Sequence, residues 1–483
     1  MTIDSNSSIQ KNEKKIRGVD KIIEKQVATG ETFKVTDNKL KLDPSLIPQL
    51  RSGTYSGYHH VTWYVSNAKQ AAYYFMSIFG FKPYAYRGLE TGSRAVVCYV
   101  VKNGDAIFEF ASPLKSDFTE TDNGTTISPE GNGNSNANAK GNSLSSMSKV
   151  SMHTQKEMNN LVMEMNNFIH KHGDGVKDVA FAVQNAEEVY RISIKGGAKS
   201  IMRPTLYKDY DLRSYVKMAK VSVFGDTVHT LVEKGDNYSR FLPEYEMVNN
   251  INLNDKESFK IRFPIVAIEN FLKLPPVHFL KIDHCVQNQG WNEMIPSCES
   301  YAKTFGFHQF WSVDEKEVST EFSALRSIVM SSPDDQIKMP INEPAKGRCK
   351  SQIEEFLDYY EGPGVQHIAI LTDNIIETVS AMRQRGAEFI DVPEKYYTNL
   401  LPRIMASPVE IKEDLGIVKK LGILVDFDDK GYLLQLFTKP LGVRPTIFIE
   451  VIQRRNHNGF GAGNFKALFE TLEGLQNERG NLH

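Results

Sequence analysis

Two histidines and a glutamate, His284, His367 and Glu450, are the residues of this 483-residue chain whose types and spacing could do chemistry together. His284 and His367 each stand near the start of an alternating segment, IDHCVQNQ and GVQHIAILT. Glu450 lies in TIFIEVI, where strand alternation puts Phe448, Glu450 and Ile452 on one face and leaves a carboxylate among apolar neighbours. Burying a lone carboxylate is costly, so something must meet its charge. Two imidazoles and one carboxylate are the facial triad of non-haem Fe(II) oxygenases, a set that leaves three coordination positions for substrate and O2. A single strand histidine is more often a hydrogen-bonded structural residue, and an inward glutamate can pair with Lys or Arg. The spacing favours the triad: His367 lies 83 residues beyond His284, and Glu450 lies 83 beyond His367.

The two histidines occupy equivalent positions of an internal repeat. GVKDVAFAVQNAEEVYRISIKGGAKSIMRPTLY from Gly175 aligns without a gap to GVQHIAILTDNIIETVSAMRQRGAEFIDVPEKYY from Gly364, a constant offset of 189. YHHVTWYV followed by FGF at Phe79 matches IDHCVQNQ followed by FGF at Phe305, placing His60 opposite His284. Four module starts emerge, near residues 60, 178, 284 and 367. Each carries an alternating strand, an amphipathic helix closed by glycine, and further short strands, a βαβββ unit. One such unit leaves a sheet face uncovered, so pairing two around a shared concave surface is the simplest burial solution. The expected fold is α+β: tandem βαβββ modules paired into two pseudo-duplicated open-barrel domains. Residues 46–245 form the first and 246–483 the second, which carries a C-terminal lid helix. The first half has His60 but Asp178 opposite His367, with no clear counterpart of Glu450, and reads as a metal-free scaffold and dimer surface.

Residues 1–45 read as a disordered tail, and Ser/Asn/Gly-rich residues 116–148 as a low-complexity insertion. With 41% hydrophobic and 24% charged residues, the remainder has material for a large core. A net charge of -2 offers no general pull toward nucleic acid or an anionic membrane. Four scattered cysteines make no disulfide framework and fit a reducing compartment. No leader-like segment and no apolar run long enough to span a bilayer stands out, so a cytoplasmic protein is expected.

The chain resembles the 4-hydroxyphenylpyruvate dioxygenase family of the vicinal-oxygen-chelate superfamily, from about Gly57 to about Glu473. The motifs that carry the likeness are IDHCVQN, PINEPAKG from Pro340, KSQIEEFL from Lys350, EGPGVQHIAILT, LLQLFTKP around Gln435, RPTIFIEVIQR and GFGAGNFKALFE from Gly459. The resemblance implies one Fe(II) per chain held by His284, His367 and Glu450. It also implies conversion of 4-hydroxyphenylpyruvate and O2 to homogentisate and CO2 in tyrosine and phenylalanine catabolism. An α-keto acid can chelate iron through its carboxylate and keto oxygens, so the substrate brings its own keto acid. By the same resemblance Gln352, Gln435 and Asn464 are catalytic, while Ser327, Asn342, Gln366, Phe437, Phe448 and Phe465 bind substrate; with the first half read as a dimer surface, a homodimer is expected. Strict strand alternation nevertheless points Gln366 away from the His367 face, and Cys285 away from the His284 face into packing.

GFGAGNF lacks the spacing of a nucleotide loop and reads as a hinge before a lid helix that presents Asn464, Phe465 and Leu468 together. Hydroxymandelate synthase would use the same substrate and triad, so the ligand set leaves that product open. A metal-free binding module of the same fold, or an extradiol or glyoxalase-type enzyme, stands further off: the first lacks need of an intact triad, and the others lack need of the glutamine and phenylalanine positions.

Overall fold

The computed structural model of the chain describes residues 43–116, 155–248, 263, 265–313 and 324–482. Of the expected tail, residues 1–42, and of the expected insertion, residues 117–148, lie outside the described residues.

The first module is β1 (Tyr55–Tyr64), α1 (Ala68–Ile78), β2 (Lys82–Arg87), β3 (Val96–Asn103) and β4 (Ala106–Pro113). Helix α2 (Gln155–His172) leads into the second, β5 (Gly175–Val183), α3 (Ala186–Lys195), β6 (Lys199–Asp209), β7 (Ser214–Phe224) and β8 (Thr227–Lys234). A two-residue β9 (Glu246–Met247) and α4 (Ile265–Leu272) follow. The third module is β10 (Lys281–Asn288), α5 (Met294–Phe305), β11 (His308–Val313), β12 (Ala324–Ser331) and β13 (Lys338–Ala345). After α6 (Gln352–Tyr360) comes the fourth, β14 (Gly364–Leu371), α7 (Ile375–Gln384), β15 (Leu424–Phe427), β16 (Tyr432–Phe437) and β17 (Phe448–Arg455). It differs from the βαβββ plan by two further helices, α8 (Glu394–Met405) and α9 (Leu415–Leu421), between α7 and β15. Helix α10 (Ala462–Glu478) ends the fold.

Local chemistry explains why three of the four first strands give way to a helix. Asn67, Asn185 and Asn374 stand at the N-caps of α1, α3 and α7, and each side chain accepts a backbone N–H from the first turn. The same helices and α5 are each followed by a glycine at positive φ, Gly80, Gly197, Gly306 and Gly386, a conformation that ends a helix at little steric cost.

The modules pair as expected into two curled sheets. One runs β6-β7-β8-β5-β1-β4-β3-β2-β9 and the other β11-β12-β13-β10-β14-β17-β16-β15. In both, the first strands of two modules lie antiparallel at the centre, β1 on β5 and β10 on β14. Each is flanked by the last strand of its own module in parallel, β4, β8, β13 and β17. The repeated Phe-Gly-Phe motif serves the core. Phe307 is fully buried with its ring edge-on to Tyr55 at 5.5 Å, and the Tyr55 hydroxyl donates to the Phe305 carbonyl at 2.9 Å. Phe181 completes this cluster, which joins the central strands of the first sheet to α5. Phe307→Ala is expected to cost about 3–5 kcal/mol, read as a lower denaturation midpoint, because both sides of the cavity belong to rigid strands and helices that cannot collapse to fill it.

Candidate metal centre

Residues paired across a sheet share a face, and the register of the second sheet gathers the predicted site on one of them. Val286 of β10 lies opposite His367, and His284 opposite Ala369. His367 and Ala369 in turn lie opposite Phe448 and Glu450 of β17. Across β17, Glu450 and Ile452 face Phe437 and Gln435 of β16. On the other flank Ser327 of β12 pairs with Asn342 of β13, which pairs with Asn288 of β10 and donates to its side-chain oxygen at 3.3 Å. One concave face therefore carries His284, His367, Glu450, Gln435, Phe437, Phe448, Asn342 and Ser327, all of them buried.

The histidine-bearing strands are not regular. The β10–β14 register slips between Ile282 and His284 and again between Val286 and Gln287, where Gln366 is skipped. Asp283 and Gln366 are thus the extra residues of two bulges, the device by which a strand re-aims a side chain. Each turns back to the histidine that follows it. Asp283 Oδ2 lies 2.7 Å from His284 Nδ1, and Gln366 Oε1 lies 3.0 Å from His367 Nδ1. Gln366 also donates through Nε2 to Gln352 Oε1 at 3.3 Å. The expectation that Gln366 points away from the His367 face is corrected: the bulge suspends the alternation on which it rested. Cys285 is fully buried in the core, as expected.

An acceptor on each Nδ1 favours a proton there, so that each ring, when neutral, presents its Nε2 inward as an acceptor. His284 Nε2 and His367 Nε2 lie 3.2 and 3.3 Å from the same oxygen, Glu450 Oε2. Burial works to raise the Glu450 carboxyl, but the two imidazoles outweigh it and hold the group at about 2. At His284, Glu450 and Asp283 overcome the effect of burial, whereas at His367 burial prevails and favours the neutral ring. Glu450 Oε1 is buried with no hydrogen-bond partner. An orphaned carboxylate oxygen beside two inward imidazole nitrogens, all three donor groups within 4.8 Å, fits a divalent cation.

Around these donors, Phe448 stacks on His367 at 4.8 Å and Phe437 meets the same ring edge-on at 5.8 Å. Gln352, the first residue of α6, shares a small cavity with Gln366 and Phe448 beneath Leu472 of α10. Asn464 is fully buried on α10; its Oδ1 accepts from the Tyr396 hydroxyl at 2.7 Å, and its Nδ2 has no partner. Phe465 lies on α10, and its side chain is outside what is described. Gly461, just ahead of this helix, has φ +75 and lies so close to Gln435 that a Cβ there would sit 2.4 Å from the amide nitrogen.

The family model described as Glyoxalase/Bleomycin resistance protein/Dioxygenase superfamily matches residues 281–436. A 4-hydroxyphenylpyruvate dioxygenase from Aspergillus fumigatus is 46% identical over 89% of this chain and 94% of its own length. One from Danio rerio is 44% identical over 89% of this chain and 93% of its own. The chain belongs to the 4-hydroxyphenylpyruvate dioxygenase family. Among solved structures, a mutant 4-hydroxymandelate synthase from Streptomyces coelicolor shares the fold, with a TM-score of 0.64 at 24% identity over 88% of this chain and 99% of that one.

In this member of the dioxygenase family the first sheet repeats the geometry with different chemistry. His60 lies opposite Ala180 as His284 does opposite Ala369, and Asp178 takes the place of His367. The β5–β8 register puts Thr230 where Glu450 stands, the counterpart that sequence left unread. The bulges recur too, at His59 and Lys177. Thr230 donates to Asp178 through its amide at 2.9 Å and its hydroxyl at 2.5 Å, and Lys220 Nζ sits 2.9 Å from Asp178 Oδ2. An ammonium from β7, reaching across β8, thus neutralises the carboxylate. Asp283, Arg454, Tyr396 and Lys220 were missed by sequence reasoning. Asp283 had a signal, as an acid directly before a candidate ligand, and so had Arg454, four strand residues beyond Glu450 on its face; Lys220 and Tyr396 had none.

Burial acts to raise the Asp178 carboxyl, and Lys220, His60 and Thr230 outweigh it and lower it. A depressed carboxyl contributes stability at neutral pH that fades as pH falls. Lys220→Met, which strands that charge, is expected to cost about 3–5 kcal/mol at neutral pH. The gap to the parent narrows as pH falls and the variant's Asp178 takes up a proton, checked by denaturant midpoints at neutral and at mildly acidic pH. Gly461→Ala is expected to destabilise by about 1–3 kcal/mol with secondary structure intact, read by thermal unfolding, since it combines a left-handed backbone with a clash on Gln435.

Proposed function

We propose that the chain is an Fe(II)-dependent dioxygenase converting 4-hydroxyphenylpyruvate and O2 to homogentisate and CO2, with one iron per chain held by His284, His367 and Glu450. The observation that carries this is the buried Glu450 carboxylate facing the Nε2 atoms of two histidines whose Nδ1 atoms are already engaged. The names of the 4-hydroxyphenylpyruvate dioxygenases at 43–47% identity support the same substrate. Iron, when bound, would supply Lewis acidity toward an α-keto acid and a redox centre through which electrons from the substrate reach O2.

The chain's own residues do the rest. Gln352 and Gln435, with Gln366 behind Gln352, offer amides to a ring hydroxyl, and Asn464 Nδ2 is an unspent donor on the covering helix. Phe437 and Phe448 give an aromatic ring two walls, and Ser327 and Asn342 give it a polar edge. Phe465 is assigned to the same wall by family resemblance. Helix α10 keeps water from this face: its Leu468 and Leu472 are buried, and Arg479 near its end pairs with Glu355 of α6 at 2.6 Å.

The same reading divides the chain into paired-module domains at 46–245 and 246–483; strand β9 (Glu246–Met247) still pairs with β2 of the first sheet, and the first strand of the second sheet opens at Lys281. It takes the chain as a homodimer, which would cover the edge strand β6 with its exposed Ile201 and Leu206. A cytoplasmic setting agrees with the four free cysteines. No helix among the described residues is long and apolar enough to cross a membrane.

Anaerobic Fe(II) with 4-hydroxyphenylpyruvate, then admission of O2, is expected to yield homogentisate. Glu450→Gln, which keeps the shape and removes the charge, is expected to lose most metal affinity and turnover without unfolding. Undiminished turnover by that variant would refute the triad, and hydroxymandelate in place of homogentisate would refute the product.

A further inference from the structure

We propose that Arg454 is a positioning residue coupling the loop ahead of α10 to the orientation of His284, so that docking of this loop and metal affinity rise and fall together. This rests on the reading of His284, His367 and Glu450 as a metal centre.

Arg454 lies four residues beyond Glu450 on β17, so strand alternation sets both on the same sheet face. Its Nε and Nη2 donate to the two Asp283 oxygens at 2.9 and 2.8 Å. This two-pronged contact fixes the plane of the carboxylate as a single bond cannot. Asp283 Oδ2 in turn accepts from His284 Nδ1 at 2.7 Å and so sets the ring's rotation. The remaining nitrogen, Nη1, donates into the loop, to the carbonyls of Gly459 at 2.5 Å and His457 at 3.2 Å. Phe460 adds a second route: its ring lies 5.4 Å from the guanidinium carbon and meets the His284 ring edge-on at 5.1 Å.

Loop and imidazole are therefore joined through hydrogen bonds and through aromatic contact, with Arg454 in both. If the loop withdraws, Nη1 loses its two acceptors and the guanidinium loses its aromatic cover in one movement. A guanidinium with an unsatisfied N–H in a mostly buried site turns toward water, and Asp283 turns with it. His284 then loses the partner that aims Nε2 at Glu450. Linkage makes the effect mutual: whatever factor loop docking contributes to metal affinity, metal binding contributes to loop docking.

The test uses the full chain stripped of metal by chelator, with Fe(II) added anaerobically and no substrate. Affinity is read by competition with a chromogenic chelator, and loop docking by hydrogen exchange over residues 456–464. In the parent, Fe(II) is expected to slow exchange in that segment. In Arg454→Lys, which keeps the charge but cannot fork, and in Arg454→Met, affinity is expected to fall about 10–100-fold and the Fe(II)-dependent protection to shrink. Phe460→Leu is expected to lower both in the same direction and serves where Arg454→Met fails to fold. A purely structural arginine would raise loop exchange equally with and without Fe(II) and leave affinity unchanged, and that result overturns the coupling. Glu450→Gln separates the two levels. If it binds Fe(II) as the parent does, the metal centre itself is wrong; if it loses binding while Arg454→Lys keeps parental affinity and protection, only the coupling is wrong.

Discussion

A carboxylate deprived of water must be answered by charge or by donors, and Glu450 is answered by two imidazoles that reach it from different strands. The rest of the second sheet follows from this requirement. Strand β14 must lie between β10 and β17 for His284, His367 and Glu450 to converge, and both histidines must turn Nε2 inward at once. Regular strands supply the shared face but not the ring rotation. The two bulges supply that, at the cost of a broken ladder bond each, by giving every histidine a partner one residue upstream.

The duplicated plan shows how little of this depends on metal. In the first sheet the central strands, the bulges and the parallel flanking strands are all present, yet Asp178 is answered by Lys220 and Thr230. One backbone arrangement thus accommodates a fixed organic cation on one side and, in the proposed reading, an exchangeable inorganic one on the other. The ammonium is covalently part of the fold and cannot dissociate. Its half is suited to support, whereas the other half can leave coordination positions for a substrate.

Much of this was legible in the sequence because a repeat turns spacing into geometry. The constant offset between Gly175 and Gly364, with the match of His60 to His284, required the two histidine strands to occupy equivalent places, while Glu450 was marked by its own strand alternation, which left a carboxylate among apolar neighbours. What stayed hidden was whatever departs from period two or crosses between elements. Gln366 was misplaced since a bulge leaves no signature in residue type. Thr230 could be equated with Glu450 only through the β5–β8 register, and Lys220 comes from a strand that no spacing rule links to Asp178. The two helices inserted before β15 also depart from the βαβββ plan without a change in composition that would mark them.

The donor set is spread across the seam between two modules, and its last member lies on β17, the final strand. No shorter stretch of the chain brings the three groups together, whatever it manages to fold. During synthesis, therefore, the emerging polypeptide offers passing metal ions at most a pair of imidazoles held without their counter-charge. In the proposed reading the complete donor set for an ion exists only once the surrounding walls do, an ordering in time that follows from strand order alone.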